Sequence, residues 1–172
     1  MSAAGRIPAN LKPETLGVAK MKNFTQTQIA EAIEKIGGNE IGGEDAARAL
    51  RDTAGLNAPQ IAAALTSEAG LGLEPHRVAT ALYFSGGLDL SIDEVVAAMN
   101  ESKCFNIDQL AFAMHSEKGL DLDLDDTAAA LLTQFSPAET ANALYLLGEG
   151  AVPSISSSQI AAAIAAAAAA AD

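Results

Sequence analysis

Apolar residues four apart, separated by small ones, recur nine times along this 172-residue chain. Each copy follows the pattern apolar-Ala-x-Ala-apolar with minor variants, at 29–33, 46–50, 61–65, 78–82, 95–99, 110–114, 127–131, 140–144 and 160–164. Residues four apart share one face of a helix, and alanines beside them let a neighbouring backbone come close. Nine short, tightly packed helices are therefore predicted. The copies begin 13 to 20 residues apart, most often 15 or 17, so two helices occupy about 32 residues. That length suits helix-pair repeats, although no tetratricopeptide or ankyrin signature is present. The expected fold is all-α: eight or nine short helices in helix-pair repeats of about 32 residues with Gly-Leu connections. Stacking as a short solenoid and closing into one or two compact bundles are both compatible with the spacing.

Start and stop signals support these boundaries. Thr25, Asn57, Ser91, Asn106, Asp125 and Ser136 each stand a few residues before a copy, where an N-cap belongs. Pro59 and Pro137 suit first-turn positions. Gly37, Gly38, Gly55, Gly70, Gly86, Gly87, Gly119 and Gly148 are the expected stops, since glycine accepts the left-handed conformation that closes a helix. Helices of about ten to twelve residues follow, each marginal without neighbours.

Leucine alternates with a small or acidic residue at 69–73, 86–90 and 118–124. Alternation places the leucines on one side, as in a short extended segment pinning a loop to the core. Within 87–94 an apolar residue precedes an acid by four, as in the second half of an EF-hand calcium loop. The Asp-x-Asp-x-Asp-Gly run that should come first is replaced by residues 83–89, which offer only Asp89. What is shared is a helix, short segment, helix geometry.

The two ends differ from the middle. Residues 1–22 contain no full copy and form a basic arm, residues 23–150 a helical body, and residues 151–172 a serine-rich linker with an alanine-rich helix anchored by Ile160 and Ile164. Charge follows the same division. The arm holds Arg6, Lys12, Lys20 and Lys22 against Glu14, a net +3, while the remainder has six bases and 21 acids, a net −15. An acidic body repels phosphate backbones, so no nucleic-acid partner is expected. Aromatic residues are 4% of the chain, with no tryptophan, which leaves little to line a large ligand pocket. The start lacks the apolar run of a signal peptide, and the terminal alanines are too weakly hydrophobic for a membrane span.

Candidate chemistry is sparse. Asp121, Asp123, Asp125 and Asp126 are the best cation candidates because alternating carboxylates share a face. In EF-hand register, however, Asp126 falls where glycine is required and Leu132 where the bidentate acid is required. Helix capping is the competing role. Cys104, the single cysteine, suits a buried structural thiol, and His115 suits a helix C-terminus, where its charge favours the dipole. His76 suits a surface position. No thiol cluster accompanies either histidine, so no zinc site is expected. Gly42 and Gly43 precede two acids, which would repel a phosphate. Serines 154, 156, 157 and 158 fit capping of the last helix. No catalytic residue, metal ligand or cofactor is assigned.

The expectation is a non-enzymatic structural protein that self-assembles into a homo-oligomer, such as a filament, virion component or lattice. Its partners are copies of itself, joined head to tail as the arm lies across an adjacent acidic face, with Arg6, Lys12, Lys20 and Lys22 as assembly contacts. The alternative is a monomeric helical-repeat module that binds a protein partner, with weak calcium binding at the acidic run.

Overall fold

The computed structural model describes residues 26–35, 37, 41–150 and 154–170. Among these there are nine α-helices and no strand: α1 (Gln26–Lys35), α2 (Gly43–Ala54), α3 (Ala58–Thr66), α4 (Pro75–Tyr83), α5 (Ile92–Glu101), α6 (Ile107–His115), α7 (Leu124–Leu132), α8 (Pro137–Gly150) and α9 (Ser157–Ala170). Each of the nine sequence copies falls inside one helix, in order.

Burial explains why the pattern works. In α3 to α7 the first, second and fifth residues of every copy are buried, as is the fourth, while the third is never buried. At about 100° per residue, the first and fifth positions form the middle of an arc and the second and fourth form its flanks. Large side chains such as Leu65, Leu82, Met99, Met114 and Leu131 thus fill the centre. Alanines such as Ala62, Ala64, Ala79, Ala81, Ala111 and Ala113 keep the flanks thin. Both flanks are needed because a middle helix has neighbours on both. α2 packs on α4, α4 on α6 and α6 on α8, and in a second row α3 packs on α5, α5 on α7 and α7 on α9. Chain-adjacent helices pack as well, from α1 on α2 to α8 on α9, so the rows lie against each other.

Local chemistry sets the ends of the helices. Asn57 with Gln60, Ser91 with Glu94, and Asn106 with Gln109 make reciprocal capping boxes, satisfying two backbone donors each. Ser136 with Glu139 and Ser156 with Gln159 bond in the same way. The cap of α7 is Asp123, whose carboxylate accepts from the Asp126 N–H at 2.8 Å, and not Asp125, which sits in the first turn. Thr25 lies outside the described residues.

Three connections share one backbone. After α3, α4 and α6 comes an extended C-cap: Ser67, Phe84 and Ser116. Gly70, Gly87 and Gly119 then donate to the C-cap carbonyls at 2.8 to 2.9 Å. Gly72, Asp89 and Asp121 follow at φ between 53° and 58°, and their N–H groups donate to the same C-cap oxygens. Leu73, Leu90 and Leu122 finally donate to Leu65, Leu82 and Met114 of the preceding helix. The flanking leucines, 71 with 73, 88 with 90 and 120 with 122, are buried or half-buried in every case. The leucine alternation is thus a left-handed turn that returns both leucines to the core. Thr66 and His115, each the last residue of its helix, lock the turn by donating to the carbonyls of Leu73 and Leu122 at 3.0 and 2.9 Å.

The glycines in these turns serve a different purpose from the one expected. A Cβ on Gly70, Gly87 or Gly119 would collide with the carbonyl of Ala64, Ala81 or Ala113, so they permit close approach while the left-handed residue comes two positions later. Gly55 does close α2 in the left-handed conformation, at φ 66°. Gly148 stops nothing: α8 runs through it to Gly150, and its bare Cα lets Ile155 pack in, with a Cβ meeting Ile155 at 3.0 Å.

Candidate functional site

The site lies where one helix flank has no neighbour among the described residues. In α3 to α7 the second residue of each copy is a buried Ala62, Ala79, Val96, Ala111 or Ala128. Its counterparts are the half-buried Ala141 of α8 and the exposed Ala161 of α9. α9 is held by α7 and α8 through Ile160 and Ala163, both buried, and Ile164, which is half-buried. Next to Ile160 and Ile164 it presents Ala161, Ala165 and Ala168. Across from them α8 presents Pro137, Ala138, Ala141 and Tyr145, and the two helices enclose an open groove of about 570 Å³. Its lining contains no charged side chain. Tyr145 is 49% and the adjacent Leu146 42% exposed. A contiguous apolar face of this kind, as opposed to scattered exposed side chains, marks an interaction surface.

A second concavity, of about 490 Å³, lies between the first turns of α4 and α6, around Glu74, His76, Asn106, Asp108, Phe112 and Lys118. Asp108 Oδ1 is buried there without a hydrogen-bond partner. Contrary to the surface placement expected from sequence, His76 is 8% exposed. Its ring stands edge-on to Phe112 at 6.2 Å, and Nδ1 lies 3.5 Å from a Glu74 oxygen. Packing of α4 beside α6 brings that first turn inward.

The remaining candidates take separate roles. Asp121 is a left-handed turn residue, Asp123 a helix cap, and Asp125 and Asp126 the first turn of α7. No group of three or more His, Cys, Asp or Glu residues poised to hold a metal ion exists among the described residues. Cys104 is exposed instead of buried, because the connection turns outward at Lys103, φ 59°, and Phe105 takes the half-buried place. Arg6, Lys12, Lys20 and Lys22 lie outside the described residues. Among the described residues no helix is long and apolar enough to cross a membrane.

Sequence reasoning missed the groove because buried and exposed alanines are written alike. The available signal was at Ala161 and Ala165, since an all-alanine flank lacks the charged residues that normally solvate an outer helix face. Comparison with protein-family models, with curated proteins and with solved structures gives no match to any of them.

Proposed function

We propose that the chain is a non-enzymatic structural protein that self-assembles head to tail into a homo-oligomer such as a filament, virion component or lattice. The observation that carries this reading is the uncovered α8–α9 flank. It has the composition of the flanks buried elsewhere in the rows, so it is suited to receive another packed element. The charge division supports it: Arg6, Lys12, Lys20 and Lys22 give residues 1–22 a net +3 against −15 on the rest, which steers one copy's arm toward another copy's body. Unlike surfaces meeting head to tail generate rings or open filaments. We further propose that helix pairs of about 32 residues are the building unit. Row-wise packing of α2, α4, α6 and α8 against α3, α5, α7 and α9 supports that organisation.

Sedimentation velocity and negative-stain microscopy across a salt series test the reading. Regular assemblies that dissociate as salt rises are expected, because exposed opposite charges are screened within about 10 Å at 0.1 M salt. A monodisperse 17.5 kDa species at every concentration and salt would overturn it.

A further inference from the structure

Resting on this head-to-tail reading, we propose that the α8–α9 groove is the seat for residues 11–24 of a second copy's N-terminal arm. Two properties of that segment match the site. Leu11, Leu16, Val18, Met21 and Phe24 supply apolar side chains for a groove with an uncharged lining. Lys12, Lys20 and Lys22 are interleaved with them. The stretch of chain that carries the groove is anionic in composition: from Gly119 onward there are seven acids and no lysine, arginine or histidine. Two of those acids, Asp123 and Asp125, border a separate cleft against Gln159 and Ala162, on the face of α9 turned away from the groove. Apolar insertion and charge attraction both contribute to the affinity of such a contact, and the charges also set its orientation and on-rate.

A second copy's groove is a poorer occupant, since it would bring two anionic thirds together. The charged exposed face of α2, with Glu44, Asp45, Arg48, Arg51 and Asp52, offers no apolar insert. The arm therefore fits where these two surfaces do not.

The test uses two full-length variants. Ala161→Lys with Ala165→Lys obstructs the groove at exposed positions, where the fold tolerates substitution. Lys20→Glu with Lys22→Glu reverses the arm. In sedimentation velocity each variant alone is expected to show self-association weakened about tenfold or more, a free-energy change of about 1.4 kcal/mol. An equimolar mixture is expected to give a discrete heterodimer, because the intact arm of one variant still meets the intact groove of the other. Three outcomes overturn the proposal while leaving head-to-tail assembly standing: undiminished assembly of the groove variant, undiminished assembly of the arm variant, or no heterodimer on mixing. A groove variant that stays monomeric while the arm variant dimerises would identify groove-to-groove pairing instead. Wild-type protein that is monomeric throughout removes the assembly reading itself and this inference with it.

Discussion

Glycine and aspartate divide the work in the Gly-Leu turns, and the division makes opposite demands on substitution. Gly87 lies so near the Ala81 carbonyl that a methyl group forces the backbone to move, whereas two residues later Asp89 holds φ 58° in a conformation glycine adopts freely. Gly87→Ala is expected to destabilise the protein by about 1–3 kcal/mol, and Asp89→Gly to change it by less than about 0.5 kcal/mol, read from urea unfolding midpoints. Equal losses at both positions would contradict this geometry. The leucine-acid alternation was visible in the sequence; its cause was not. Aspartate tolerates the left-handed region, so a run that resembles half a cation site also serves as turn chemistry. His76 and Cys104 show the same limit from the other side. Periodicity locates helices, but whether a first-turn histidine or a loop thiol faces inward depends on which neighbouring element covers it.

At the scale of the helix, nine elements and most of their caps were legible because both rest on local spacing. Among the caps that can be compared (Thr25 lies outside the described residues), Asp123, two residues earlier than the expected Asp125, is the exception, since either acid stands at a plausible distance from the copy it precedes. The alanine flanks carry a sharper expectation. On α7, Ala128 and Ala130 are buried while Ala129 between them is exposed. Ala128→Leu or Ala130→Leu should cost about 1–3 kcal/mol by overpacking. Ala129→Leu should stay within about 0.5 kcal/mol, again by chemical unfolding. The capping boxes supply a pH signature. Hydrogen bonds from Ser91, its backbone N–H first and its hydroxyl second, hold Glu94 below the ordinary carboxylate value. Glu139 is lowered likewise by the Ser136 hydroxyl and then its N–H. A carboxylate lowered in the folded state adds stability that is fully present above its unfolded value and lost as pH falls through its folded one. The melting-temperature advantage of wild type over Glu94→Gln with Glu139→Gln should therefore shrink from about pH 6 to about pH 3, followed by circular dichroism. An advantage that grows on acidification would contradict the sign.

The whole molecule joins an acidic helical body to a sequence segment of opposite charge. Removing residues 1–22 is expected to leave the helical circular-dichroism signal of the remainder unchanged per residue and to abolish higher-order species; polymer that persists unchanged would refute the arm's part in assembly. The arm's charge was readable at once, because it is a property of composition. The groove was not, because it arises where no described residue covers the α8–α9 flank, and absence of contact leaves no mark in one dimension. Every substantial helix pairing joins elements no more than two apart along the chain. Few distant segments must find one another before structure appears, so low contact order should bring rapid folding. Among the described residues the same economy gives no clasp between α1 and α9: amide exchange should be slowest around α4 to α6 and quicken outward, with α1 fraying while the centre stays intact.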